Sequence, residues 1–262
     1  MLLDDCYIAY VNLAHRVDRK EHMERELARV GIKAERFEAI STKGPEWNRH
    51  PYRVMFNRTR GAIGCALSQM AVMERAYELG KTAIVLEDDL IFATDTIKRF
   101  EYIDNFIKTK ESDYDIIFLG GTVHSPAWWH KLGHDPMLQM CKCSLGKDVE
   151  TIDDERMVRV FGMFSTHAYV VRYESIPKIL SLLNDVMHFT IGIDFSLILH
   201  QPNLRCFAFM PGTVKQYNAV SDIGQGITYF ENFSKLNGSI ENSKYWWQDR
   251  MEDFNPNTFQ WK

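Results

Sequence analysis

The sequence predicts an α/β domain, a mostly parallel sheet flanked by helices. Three observations carry the prediction. Short apolar runs and amphipathic stretches alternate in the order β, α, β, α, β, α, β as far as Gly120-Gly121. The first strand, helix and second strand fit within about 35 residues, the size of a βαβ unit. The third run, Ala83-Ile84-Val85-Leu86, is rich in branched side chains and ends in Glu87-Asp88-Asp89, so an element built for the core finishes in three carboxylates.

Each element follows from its residues. Tyr7–Leu13 is apolar on both faces, as a central parallel strand is. Asp18 is placed to cap a helix with Met23, Leu27 and Val30 on one face and Gly31 as its stop. Arg16 and Arg19 then fall at the C-terminal edge of the first strand, where open α/β sheets bind ligands. Ala34–Ile40 is the second strand, and the polar stretch 41–58 is a long connection of the kind that tends to be functional. Thr59 to Cys65 opens a helix with Thr59 as cap and Gly61 and Gly64 allowing close approach, while Ile63, Leu67, Met70 and Tyr77 share a face. Asp95 caps a further helix, 96–108, before the strand 114–119. From Thr122 to Glu155 periodicity fails. Strands return at Met157–Phe161 and Ala168–Arg172, helices at Glu174–Asn184 and Phe195–His200, and a late strand at Leu204–Phe209. Residues 1–223 read as one domain and 224–262 as its irregular C-terminal extension.

Composition narrows the function. The 262-residue chain has 45% apolar residues and a net charge of −4, enough for a sizeable core and against a nucleic-acid partner. No stretch reaches the roughly 20 apolar residues of a membrane span. The start, MLLDDCYIAYVNL, lacks a basic n-region, so the expectation is a soluble cytoplasmic protein, with peripheral attachment to a membrane left open. Five scattered cysteines suit reduced thiols, and Cys141-Lys-Cys143 has no second pair to complete a zinc site. The sequons at Asn57, Asn232 and Asn237 read as chance matches.

The acidic strand end is the strongest chemical signal. Strand alternation turns Glu87 and Asp89 to one side and Asp88 to the other, and two oxygen donors on one side suit Mg2+ or Mn2+ carrying phosphates. A solvated acidic turn is the plainer reading of the same residues. A Mg2+-dependent phosphohydrolase is disfavoured, because Glu87–Ile91 lacks the Asp-x-Asp-x-Thr nucleophile pattern of one large class.

Taken together, Tyr10-Val-Asn-Leu13 with Arg16 and Asp18-Arg19, the block Arg60-Gly-Ala-Ile-Gly-Cys-Ala-Leu-Ser68, Leu86-Glu-Asp-Asp89, Asp115–Gly120, Thr166–Val170, Ile193-Asp194, Pro211 and Ser221-Asp-Ile223 resemble glycosyltransferase family 25. Gln69 stands where that family usually has His, and Ile40-Ser41 replaces its Asp-Gly. The resemblance implies a GT-A-like (Rossmann-like) fold and an inverting, metal-dependent transfer of galactose or glucose from a UDP-sugar. The acceptor would be a hydroxyl of a glycan, lipopolysaccharide or protein. It assigns Mn2+ or Mg2+ to Glu87 and Asp89, with Asp88 beside the donor ribose or sugar. Asn12, Arg16, Arg19, Arg60, Ser68 and Lys215 then contact the donor, and Asp194 serves as general base, its plainer reading being a helix cap. His167 reads as a core histidine, and Trp128, Trp129, Trp246 and Trp247 more as packing than as sugar platforms. A degenerate transferase fold acting as a binding module is the alternative, disfavoured by the retained carboxylates.

Overall fold

The computed structural model describes residues 2–43, 60–110, 112–123, 149–153, 156–187, 192–209, 212–216, 222, 254–255 and 260–261. The proposed cap Thr59, the Trp128–His130 and Trp246-Trp247 pairs, Cys141, Cys143, Pro211 and the three sequons lie outside them, as does most of the extension from 224.

Eight strands form the main sheet. Their order is β2 (Glu35–Glu38), β1 (Cys6–Asn12), β3 (Thr82–Glu87), β10 (Ala168–Val171), β5 (Ile116–Phe118), β11 (Cys206–Phe209), β8 (Met157–Val160) and β7 (Val149–Asp153). Six of the eight run in one direction; β10 and β8 are reversed. The expected α/β architecture is therefore present, but β10 enters between β3 and β5 antiparallel to both. Three small ladders accompany the sheet: β4 (Leu90–Phe92) with β12 (Val214–Gln216), β6 (Thr122–Val123) with β9 (Met163–Phe164), and β13 (Phe254–Asn255) with β14 (Gln260–Trp261).

Side-chain alternation divides the core into two layers. Tyr7, Ala9 and Val11 of β1 and Ala83 and Val85 of β3 face α3 (Arg60–Glu78), α5 (Ile176–Met187) and α6 (Ile193–His200), which contribute Met70, Met73, Ile179 and Leu197. Ile8, Tyr10, Ile84 and Leu86 face α2 (Val17–Val30) and α4 (Thr96–Thr109), which contribute Met23, Leu27, Phe100 and Phe106. Met23, Phe100, Ile103 and Phe106 are at most 1% exposed. Burial of about 1.5–3 kcal/mol per large side chain holds α2 and α4 on the sheet. A four-residue helix, α1 (Leu2–Asp5), precedes β1.

Two expected caps differ in detail. Arg16, not Asp18, occupies the N-cap position of α2, because Asp18 lies in the first turn and its carboxylate accepts two bonds from the Arg16 guanidinium. Asp95 does stand at the N-cap of α4, but its carboxylate accepts from Arg99 Nε at 2.6 Å instead of capping the backbone. In both cases an arginine one turn or less away is the stronger partner.

Gly120 and Gly64 mark the closest backbone approaches. A Cβ on Gly120 would lie 2.5 Å from both His167 Nε2 and the Val214 carbonyl oxygen. One on Gly64 would lie 2.7 Å from the Ile40 carbonyl oxygen and 2.9 Å from Thr42 Cγ2. Gly120 thus lets β12 settle over the end of the sheet, and Gly64 lets α3 touch the segment after β2. We expect Gly120→Ala to cost roughly 1–3 kcal/mol through overpacking against a buried ring and a backbone carbonyl. Thermal unfolding should then shift down by several degrees; an unchanged midpoint would mean that β12 moves aside freely.

Candidate active site

The topology singles out one crevice. From β1 the chain crosses to β2 on one side and then to β3 on the other, all three parallel, with Val11 opposite Glu87 and Asn12 opposite Glu38. Ligands of open α/β sheets bind outside the carboxyl ends at such a reversal. A cleft of about 840 Å³, counting its open mouth, lies there, walled by the ends of β1 and β3, the segment Ala39–Lys43 and the start of α3.

Glu87, Asp88 and Asp89 form the cleft floor, each held differently. Asp88 is 7% exposed; its Oδ2 accepts from Asn12 Nδ2 at 2.7 Å and its Oδ1 from Arg19 at 2.6 Å. Asp89 lies 3.2 Å from the same guanidinium through Oδ2, while its Oδ1 accepts from Gln216 Nε2 at 3.2 Å. Glu87 Oε1 accepts from Gln69 Nε2 at 3.0 Å and lies 3.6 Å from Cys65 Sγ; its Oε2 accepts from the Gln216 amide at 2.9 Å. Strict alternation stops at Glu87, because Asp88 and Asp89 form a turn before β4. Glu87 and Asp89 still converge, on the one amide nitrogen of Gln216.

Electrostatics follow from this crowding. Burial, then Asp89 and Asp88, push the Glu87 carboxyl up to about 8. Asp89 is likewise raised, chiefly by burial, with Arg19 opposing. Burial acts to lower Arg19, but the charges of Asp89 and Asp88 outweigh it and raise the group. Burial and the neighbouring Glu87 and Asp194 push the Cys65 thiol up, so it stays protonated.

The remaining expected site residues separate into those at the cleft and those behind it. Arg19 lies in the first turn of α2, 7% exposed, and it lines the cleft. Asn12 is 1% exposed and spends its amide on Asp88, the Arg16 carbonyl and Arg36, behind the floor. Ser68 is fully buried; its hydroxyl donates to the Gly64 carbonyl and accepts from Ile40 N–H, tying α3 to the cleft wall instead of facing the cleft. Arg16 pairs with Asp18 and with Asp222, which lines the cleft mouth beside His15. Arg60 is exposed at the first position of α3, outside the cleft lining, and Lys215 precedes the lining residue Gln216. Burial lowers Lys215 to about 8. Asp194 sits in the first turn of α6, where Gly192 takes the N-cap position and no side chain caps the helix; its charge is felt at Cys65 and Glu87. His167 is buried against β12, lowered to about 3 by desolvation and hence neutral, and its carbonyl accepts from Glu87 N–H at 2.8 Å.

Three contributors were not expected. Gln69 and Cys65 are one helical turn apart on the face of α3 that meets Glu87, a spacing that the 3.6-residue period makes readable. Gln216 arrives through the pairing of β12 with β4, a long-range contact with no local signature. Among the described residues, no three His, Cys, Asp or Glu side chains gather into a metal cage.

Comparison with known proteins places the chain in a family. The profile of glycosyltransferase family 25 (LPS biosynthesis protein) matches residues 6–197. Procollagen galactosyltransferase 1-A of Xenopus laevis is 29% identical over 135 residues, covering 46% of this chain and 21% of that protein. Procollagen galactosyltransferase 2 of Mus musculus is 31% identical over 128 residues, covering 43% and 20%. The matches thus span about a fifth of the length of these relatives. Mouse xyloside xylosyltransferase 1 superposes with a TM-score of 0.41 at 14% identity, covering 73% of this chain and 66% of that one, a likeness too remote to fix the fold. With its profile match running across most of the described sheet, from the first residue of β1 into α6, the chain belongs to glycosyltransferase family 25.

Proposed function

We propose that this chain is a GT-A-like glycosyltransferase that moves a sugar, galactose in the first instance, from a UDP-sugar to a hydroxyl of a glycan, lipopolysaccharide or protein acceptor, with inversion. Family membership and the galactosyltransferase relatives support the reaction class. The observation that carries the reading is the convergence of Glu87 Oε2 and Asp89 Oδ1 at the crevice where the order of the parallel strands reverses.

Those residues fit a hard divalent cation, Mn2+ or Mg2+. Both are largely buried carboxylates, and each turns an oxygen to a common point, where the neutral Gln216 amide would give way to the ion. Ions of this kind are often bound by one or two carboxylates, with substrate phosphates and water completing the shell, so a full protein cage is not required. The cation would supply Lewis-acid neutralisation of the charge that develops on the leaving diphosphate. Arg19, buried and fixed by Asp88, lends a positive group to the same floor. Asp194, near enough for its charge to reach Glu87, is assigned as the base that takes the acceptor hydroxyl proton. Asn12 and Ser68 serve by holding Asp88 and the 40–42 wall in place.

Calorimetry tests the reading directly. UDP should bind in the presence of Mn2+, and Asp89→Ala should remove the metal-dependent part; absence of UDP binding with or without metal would end the transferase proposal. Asp194→Ala should keep UDP affinity while transfer falls about 10²–10⁴-fold. Equal turnover would refute Asp194 as base.

The metal-free protein should also reveal Glu87 through pH. Its folded value, about 8, lies above the ordinary 4.5, so the folded state holds a proton that the unfolded chain has released. Stability therefore falls as pH rises from about 4.5 to about 8, by at most about 1.4 kcal/mol per unit. Glu87→Gln should flatten that part of the stability curve. Parallel curves for the two proteins would show that Glu87 is not carrying the proton.

A further inference from the structure

Gln69 and Tyr169 are both fully buried, on different elements, and both belong to the face of the sheet that Glu87 reaches. Tyr169, on β10, stands opposite Val85 of β3, two residues before Glu87. Its hydroxyl lies 2.9 Å from Gln69 Oε1, and Gln69 Nε2 lies 3.0 Å from Glu87 Oε1. The polarity of this chain is fixed once Glu87 is ionised, as it must be to hold a cation. A carboxylate only accepts, so the amide NH2 then faces Glu87, and the amide carbonyl is left to accept the Tyr169 proton.

The consequence is a division of labour between oxygens. Glu87 Oε1 is held on the α3 side by Gln69, while its Oε2 shares the Gln216 amide with Asp89 Oδ1, a neutral donor that a cation can displace from between the two oxygens. Asp89 mirrors this, with Oδ2 held by Arg19. Asp88 turns its oxygens the other way, to Asn12 and to the charged Arg19 guanidinium. We infer that Gln69 and Tyr169 are positioning residues that aim one oxygen of Glu87 at a divalent cation, so that Glu87 and not Asp88 joins Asp89 on the metal. This inference rests on the cation reading above.

The test is Mn2+ binding to the full chain, followed by the electron paramagnetic resonance of free Mn2+, with thermal unfolding in metal-free buffer alongside. Gln69→Leu and Tyr169→Phe should each weaken Mn2+ binding about tenfold or more, the usual effect of removing a group that orients a metal ligand. Because Tyr169 acts through Gln69, adding Tyr169→Phe to Gln69→Leu should cost nothing further. Wild-type Mn2+ affinity in Tyr169→Phe, or two effects that simply add, would overturn the inference, and a lowered melting temperature at unchanged affinity would assign the pair to packing. Should Gln69→Leu not fold, Tyr169→Phe alone decides. A wild-type chain that binds no Mn2+ would instead overturn the cation reading itself, and the positioning role with it.

Discussion

Three consecutive carboxylates at the end of a core strand are the constraint around which this molecule is arranged. Removing a charge from water costs several kcal/mol unless it is paired or hydrogen-bonded. Each acid here is met by its own combination of elements. The end of β1 brings Asn12 and the first turn of α2 brings Arg19, both to Asp88; α3 brings Gln69 to Glu87; β12 brings Gln216 to Glu87 and Asp89. The helices are held by the apolar layers beneath, but where their polar ends point is decided by these acids.

Strand parity explains why the partners differ. Glu87 continues the series Ala83, Val85 on the α3 face, so its neighbours are Gln69 and Cys65. Asp88 follows Ile84 and Leu86 toward the α2 face, where Arg19 waits. The turn at Asp88-Asp89 then breaks the alternation and returns Asp89 between the two layers, within reach of both Arg19 and Gln216. Gly120 is the structural condition for the last contact, since only a residue without Cβ allows Val214 and the strand it begins to pack this closely over His167.

Most of this frame is legible in the sequence because it is local. Met23, Leu27 and Val30 declare the α2 face by their spacing, the run Thr82–Leu86 declares a buried strand, and the acids announce themselves. The reversed direction of β10 is not legible: Ala168–Val171 is buried on both faces, and such a strand shows the same apolar run whichever way it points. Arg19 reads as a ligand contact at the edge of the first strand, but its pairing with Asp88 and Asp89 depends on how α2 packs and is not local. Gln216 and Tyr169 are contacts made over a hundred residues or more, to Glu87 and Gln69, and no local pattern encodes them.

The choice of partners for Glu87 carries the functional argument furthest. An arginine or lysine at position 69 would satisfy the carboxylate and also neutralise it, and a pair of opposite charges at about 4 Å gains on the order of 4 kcal/mol near a protein surface, which a ligand cation would have to displace. Amides satisfy hydrogen-bonding capacity without adding charge. Glu87 is therefore met by the neutral amides of Gln69 and Gln216, while Arg19 serves Asp88 and Asp89. Burial and the neighbouring charges of Asp89 and Asp88 raise the Glu87 carboxyl when no cation is bound. A site held by neutral donors is thus unfavourable when empty of positive charge, and that deficit is the affinity it offers to a divalent ion and the phosphates that accompany it.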